Sequence, residues 1–511
     1  MRVLFVIPPL YLWNYIPAAE DNFLTPLGLV YLASALKQRF GRDVDVRIID
    51  CSAEHIGWRT LEQRMRGFGP AVVVTTFRDT FNAPDHGRVA ELARAIDPAV
   101  VVLAGGIHAS ELPEDTMTRW PIDVVALQEG EETICELVEQ VGRRRRDFSK
   151  VKGIVYREGD RFVRTAPRPL IEDLSLFSPS REAYDLLPMH LYRPRYMWGG
   201  TTVEGSRGCI GHCKFCSFWS FMSRADGEGP GAKRHPCLRI RPVGQVLDQL
   251  ELLNRHYGKE EFFWVDPTFG VDPKWTEELL DGIERRRIRM KFSAFMRSDM
   301  IVRDERLGLL QRLVDAGLWM TLVGVERASD EDMKWLDKST TAQHDIEAFR
   351  ILRTRYPQVV RMALCMIGLP WETRETMRQL GEYLASDLDV DVAAPHPITP
   401  FPGTELWRSM PEEWRKNVDF RDVNMIYPVI PVEGMTPTEI CLAGNDIQKK
   451  LMLRLRHLPK VLSRHERQRS TRRHFWLLAG KILYNSIRHR ENPYLATRST
   501  WATSKPPWYD I

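Results

Sequence analysis

Between positions 209 and 216 the chain reads Cys209-Ile210-Gly211-His212-Cys213-Lys214-Phe215-Cys216, three thiols in eight residues, preceded by Gly205 and Gly208. Thiolates are soft, anionic donors suited to iron, and three of them on a glycine-containing loop can wrap one face of an iron–sulfur cube. Three protein ligands leave one iron of a [4Fe–4S] cube open, and an open iron can hold a substrate. The competing chemistry is a zinc site completed by Cys237 or His212. Structural zinc sites usually pair their cysteines as C-x₂-C twice, and no second pair is present. Eight cysteines in 511 residues do not make a disulfide framework, so the grouping points to metal chemistry in a reducing, cytoplasmic setting.

A reactive loop needs a scaffold, and the flanking pattern supplies one. From about 199 to 410, six apolar runs (201–204, 262–265, 291–294, 321–325, 361–366 and 392–395) alternate with helical patterns. Six β/α units in a row predict a partial (β/α)6 barrel whose chemistry sits at the carboxyl ends of its strands. The cysteine loop follows the first run directly. Asp266 closes the second, Arg297 follows the third, Glu326 closes the fourth, and Met366-Ile367-Gly368-Leu369-Pro370 closes the fifth. Taken singly, Asp266 before Pro267 also suits a turn, and Arg297 also suits a surface pair with Asp299.

The first 142 residues show a second alternation. Runs at 3–7, 44–49, 71–76, 100–104 and 123–127 are nearly continuous and β-branched, as strands buried on both faces are. Helical patterns such as Leu27–Phe40 separate them, which predicts a doubly wound α/β domain that binds ligands beyond its strand ends. Thr75-Thr76 end the middle run, and Leu103-Ala104-Gly105-Gly106-Ile107-His108 ends the next. Glu129-Gly130-Glu131-Glu132-Thr133 opens a helix whose amides could face an anion. Residues 143–198 read as a linker with a hairpin, at 153–157 and 161–165. Residues 411–511 read as a helical, basic tail, with thirteen Lys/Arg against Glu466 alone between 449 and 490.

Composition sets limits. A chain that is 43% hydrophobic and 27% charged suits a soluble globular protein of two or three domains. No apolar run approaches the ~18 residues of a membrane span, and the run at 3–7, stopped by Pro8-Pro9, is too short for a signal peptide.

Cys209-x₃-Cys213-x₂-Cys216, with Phe215 before the last cysteine, resembles the signature of the radical S-adenosylmethionine (SAM) superfamily. That resemblance implies that the three cysteines hold a [4Fe–4S] cluster whose open iron chelates SAM. It further implies that Phe215, Asp266, Arg297, Glu326, Met366 and Gly368 contact SAM. A flavodoxin/Rossmann-like domain with Gly-Gly-x-His and Glu-Gly-Glu-Glu-Thr ahead of such a barrel resembles the cobalamin (B12)-binding radical SAM family, which includes class B methyltransferases. Cobalamin then falls to Thr75, Thr76, Gly105, Gly106, His108, Glu129 and Gly130. The Asp-x-His-x-x-Gly motif that gives cobalt a histidine elsewhere is missing after the first strand, so cobalt lacks that ligand. Tyr11 or Trp13 either covers its lower face or packs in a domain interface.

The segment from His396 to Thr404 is similar to that of cobalamin-dependent C-methyltransferases. This implies methyl transfer to an unactivated carbon of a small molecule or natural-product intermediate. Cys216-Ser217-Phe218-Trp219-Ser220-Phe221, the region from Asp419 to Thr436, and the tail resemble the anaerobic magnesium-protoporphyrin monomethyl ester oxidative cyclase, the second reading. A non-catalytic Fe–S or cobalamin sensor is the third. The implied partners are a small-molecule substrate and an external electron donor such as flavodoxin or ferredoxin. Nucleic acid is not expected. The basic apolar stretch 472–484 is a candidate for peripheral contact with an anionic membrane surface, against the commoner reading of a helix packed on one face and solvated on the other.

Overall fold

The computed structural model describes residues 1–10, 24–143, 147–193, 200–227, 232–452, 480 and 508–510. Its N-terminal sheet is built from β1 (Arg2–Ile7), β2 (Asp45–Asp50), β3 (Val72–Thr76), β4 (Val101–Gly105), β5 (Val124–Ala126), β6 (Ile154–Glu158) and β7 (Arg161–Arg164). The spatial order is β2-β1-β3-β4-β5-β6-β7, with β1 to β5 parallel and β6 and β7 antiparallel. The hairpin of the connecting segment therefore extends this sheet from the β5 edge. Side chains alternate along a strand, so Val3, Phe5, Val72 and Val74 pack on one face while Leu4, Val6 and Val73 pack on the other. Burial on both faces is why these runs read as continuous. The order reverses between β1 and β3, which opens a crevice at the strand ends.

The second sheet starts at β8 (Thr201–Val203). Four short strands follow as two antiparallel pairs: β9 (Ser206–Gly208) with β12 (Leu238–Ile240), and β10 (Arg224–Asp226) with β11 (Lys233–His235). Then come β13 (Glu261–Trp264), β14 (Lys291–Met296), β15 (Leu318–Glu326), β16 (Val360–Ile367) and β17 (Val392–Pro397). β8 and β13 to β17 lie side by side in chain order, all parallel, giving the open six-stranded barrel. Phe263, Met320, Leu322, Met362, Val392 and Ala394 fill its lumen as one apolar cluster.

The two units meet across a charged seam. Glu129 accepts from Arg207 at 2.8 Å and Arg239 at 2.6 Å, and Glu131 pairs with Arg207 at 2.6 Å. Glu204 faces Arg207 and Arg241, and both guanidinium groups lie 4.8 Å from the Tyr31 ring. Gln128 adds bonds from its Nε2 to the Phe221 and Ser223 carbonyls.

The C-terminal segment ties both units together. Helix Pro437–Met452 packs against β17. Phe420 stands edge-on to His108 at 4.6 Å, Arg421 grips Asp85 with both terminal nitrogens, and the Tyr509 hydroxyl donates to Asp85 at 2.8 Å. Among the described residues no helix is long and apolar enough to cross a membrane. Tyr11, Trp13 and, apart from Gly480, the basic stretch 472–484 lie outside the described residues.

Candidate functional site

The cysteine loop leaves β9 through Gly208, whose φ of +87° and whose missing Cβ, which would sit 1.7 Å from the Cys237 carbonyl oxygen, both require glycine. Within the loop the Gly211 N–H donates to Cys209 Sγ at 3.3 Å, and Cys216 N–H and the Trp219 indole N–H both donate to the Cys213 carbonyl, at 3.1 and 2.8 Å. The loop is pinned from outside as well, by Lys214 N–H to the Leu336 carbonyl and Leu406 N–H to the Lys214 carbonyl. A Cβ placed on Gly211 would lie 3.8 Å from Cys209 Sγ and 3.9 Å from both Cys213 Sγ and Arg297 Nη1. Two thiols and a guanidinium therefore face one small space.

Burial pushes the Cys213 thiol up to about 12 and Cys216 to about 11. Without metal these two thiols are thus protonated, so metal ligation by them would release protons. Among the described residues no three His, Cys, Asp or Glu side chains converge on a single ion. The proposed fourth zinc donors are engaged elsewhere: His212 pairs with Asp337 at 3.1 Å, and Cys237 is buried behind Gly208.

Strand ends bring further groups to this space. Arg297 makes a two-point pair with Asp299 at 3.0 and 2.9 Å while its third nitrogen faces the thiols. The pair suggested by sequence is present, and it aims the guanidinium at the loop. β15 carries a bulge between Gly324 and Glu326. Glu326 sits in the left-handed region at φ +61°, a conformation that costs a non-glycine residue about 1 kcal/mol or more and re-aims its side chain. Its carboxylate accepts from Lys338 Nζ at 2.9 Å.

Lys338, which sequence reasoning missed, is held charged by Glu326 despite its burial. Its only sequence signal was a cation twelve residues past a strand end. Phe215 and Met366 join one apolar cluster with Leu336 and Leu369. The turn after β16 is shaped by buried Glu372, which accepts from Gly368 and Leu369 N–H, and by Arg327, which bonds Glu372 and the Met366 carbonyl.

Asp266 sits one layer below. Its two oxygens accept from Gly205 N–H at 2.9 Å and Ser206 Oγ at 2.6 Å, so it ties the base of the cysteine loop rather than offering a vacant carboxylate. Burial raises its pKa to about 7. A folded-state value above the ~3.9 of an unfolded aspartate means that ionisation opposes folding. Its contribution is complete below about pH 4 and is lost as pH rises through about 7, at roughly 1.4 kcal/mol for each pH interval of one between those limits. The thermal midpoint of the native chain should therefore fall between pH 5 and 8 relative to Asp266→Asn. Parallel curves would show that Asp266 does not titrate there.

The N-terminal strand ends divide. Thr75 is fully buried and shares a 2.7 Å hydrogen bond with His86 Nδ1, so its hydroxyl faces the Ala83–Ile96 helix and not the crevice. His108 is sealed between Phe77 and Phe420, its Nε2 without a partner. Gly106, at φ +95°, is close to the Phe77 backbone, where a Cβ would clash at 2.8 Å. Gly130 backs onto Leu32. Glu129 has both oxygens bound, by Arg207, Arg239 and the Ile171 N–H. These five are held by contacts within the fold and the seam. Thr76 and its register partner Gly105 remain half-exposed at the crevice. A Cβ on Gly105 would meet nothing nearer than the Ala126 carbonyl at 3.8 Å, room for a bulky ligand to approach the backbone.

Two α/β units joined at their strand ends, one open at Gly105 and the other presenting thiols beside a cation, define a two-cofactor radical enzyme class. The B12 binding domain family matches residues 19–138 and the Radical SAM superfamily matches residues 203–381. The chain belongs to the B12-binding radical SAM family: it is a cobalamin-dependent radical SAM enzyme that uses a [4Fe–4S] cluster, SAM and cobalamin.

It is 29% identical to an uncharacterized methyltransferase of Pyrococcus horikoshii over 90% of this chain and 94% of that one. It is 27% identical to the anaerobic magnesium-protoporphyrin IX monomethyl ester cyclase of Rubrivivax gelatinosus, over 86% of this chain and 75% of the relative. The solved structure of the radical SAM methyltransferase TsrM from Kitasatospora setae, with cobalamin and a [4Fe–4S] cluster bound, shares the fold. Its TM-score is 0.62 at 19% identity, covering 89% of this chain and 82% of that one.

Proposed function

We propose that this enzyme is a C-methyltransferase that acts on an unactivated carbon of a small molecule. The observation that carries this reading is the likeness to a methyltransferase along nearly the whole length of both chains. When bound, the cluster and SAM supply a 5′-deoxyadenosyl radical, and cobalamin supplies the methyl carrier. Cys209, Cys213 and Cys216 would hold the cluster, and the site they face suits it in donor type and number. Arg297 and Lys338 place two cations against that face, which offsets the charge of three thiolates. Glu326 and the Met366–Gly368 turn frame the nucleotide side. Thr76 and Gly105 leave the crevice open for the corrin. The apolar lumen below excludes water, as radical chemistry requires. Reduction of the cluster calls for an external one-electron donor of the flavodoxin or ferredoxin kind in a reducing cytoplasm.

The test is anaerobic reconstitution with iron, sulfide and hydroxocobalamin, followed by reduction with methyl-labelled SAM and a size-filtered metabolite extract of the native cells. A product heavier by one labelled methyl is the expected result. The cyclase likeness supports a second reading, whose product would lose hydrogen and gain oxygen without label. No 5′-deoxyadenosine under any condition would leave only the sensor.

A further inference from the structure

His396 is the last lumen-facing position of β17. Val392 and Ala394 pack in the lumen cluster, side chains alternate along a strand, and His396 continues that row to the barrel mouth. Its register partner on the neighbouring strand is Met366, at the head of the turn that frames the nucleotide side. The imidazole Nδ1 lies 3.2 Å from the Met425 carbonyl oxygen. A carbonyl only accepts, so Nδ1 bears the proton and Nε2 carries the lone pair.

The loop that presents this carbonyl is built to hold it. Met425 is in the left-handed region at φ +63°. Asn424 Oδ1 accepts from Ile426 and Tyr427 N–H, both at 2.8 Å, and its Nδ2 donates to the Arg421 carbonyl. Arg421 in turn grips Asp85 of the N-terminal unit. Orientation and tautomer are thus fixed from both domains. Burial pulls the His396 pKa below the usual range, so the ring is neutral. Its Nε2 has no partner among the described residues, and, unlike that of His108, it is not sealed in the core. A neutral acceptor held this firmly and left open is arranged for a ligand, since an unmet polar group in a site costs affinity.

We propose that His396 reads the substrate: its Nε2 accepts a hydrogen bond from a hydroxyl or N–H of the molecule held at the barrel mouth. The substrate class is then a molecule with a donor at that point. A bare hydrocarbon would leave Nε2 unpaired, and a carboxylate or phosphate would set lone pair against lone pair. This inference rests on the methyl-transfer reading.

The experiment uses the fully loaded enzyme with methyl-labelled SAM and the same metabolite extract, comparing the native chain with His396→Leu and His396→Gln. Leucine removes the acceptor and should lower label transfer by about two- to tenfold, the worth of one hydrogen bond. Glutamine, whose Oε1 can accept, should recover part of it. The labelled product should carry an O–H or N–H that acetic anhydride acetylates. Diethyl pyrocarbonate should carbethoxylate His396 in the loaded enzyme well before His86 or His108. Equal transfer by the leucine variant, a labelled product without a donor, or an unreactive His396 would each overturn this inference alone. No label transfer by the native enzyme would bring down the methyl-transfer reading and this inference with it.

Discussion

Arg207→Ala is expected to destabilise the chain by about 3–5 kcal/mol, the cost of removing one partner from a buried ion pair. The Arg207 side chain is 6% exposed, and the two carboxylates it holds across the seam, Glu129 and Glu131, are 4% and 5% exposed. Arg239 still faces Glu129 after the substitution, but Glu131 loses its charge partner in a site that water does not reach. The desolvation cost then stands uncompensated. By contrast Arg39→Ala, which breaks an exposed pair with Glu139 whose side chains are 54% and 39% exposed, should cost roughly 1 kcal/mol or less, the value of a surface pair. Urea unfolding of the two variants beside the native chain measures the difference. Arg207 also sits two residues before Cys209, so cleavage by a dilute protease should begin in the 200–216 segment of the variant. Equal midpoints for the two variants would mean that the seam is wetter than its geometry shows.

The same seam marks the boundary of what sequence could reveal. β-branched runs and their spacing identified both parallel sheets because burial on two faces writes itself into composition. The cysteine spacing identified the thiol face for a similar reason: the ligand chemistry admits few residue types. Glu129 and Arg207 were harder. They are 78 residues apart in sequence, and a carboxylate at a helix start looks alike whether it meets a ligand, an amide or a distant guanidinium. Thr75 and His108 fell to the same ambiguity. A strand-end hydroxyl or imidazole has two sides to face, and only the packing of Phe77, His86 and Phe420 decides which. Lys338 left only the signal of a cation twelve residues past a strand end, and the bulge that turns Glu326 toward it left none, because it depends on the register of β15 against β16. Sequence thus located the residues whose type is dictated by chemistry, and structure was needed for those whose role is dictated by orientation.

Cys213→Ala should abolish 5′-deoxyadenosine formation, a fall of about a thousandfold or more, equivalent to ~4 kcal/mol in the barrier, while the fold survives. The reasoning separates side chain from backbone. The Cys213 carbonyl holds the Trp219 indole and the Cys216 N–H, and alanine keeps both bonds. What the substitution removes is the thiol, the proposed iron ligand, which contributes little packing. Two cysteines cannot hold three irons of a cube, and iron and sulfide content after reconstitution should drop accordingly. Cobalamin should remain bound, since Thr76 and Gly105 stand on the other sheet, at the ends of β3 and β4. Cys365→Ala is the matched comparison: that thiol is buried on the helix-facing side of β16, outside the three-cysteine face, and its loss should cost about 1 kcal/mol of stability with iron content unchanged. If Cys213→Ala retains a full complement of iron and Cys365→Ala loses it, the cluster has been placed on the wrong thiols. If Cys213→Ala sheds cobalamin together with iron, the two cofactor sites fold as one unit, and the seam transmits the loss of one to the other.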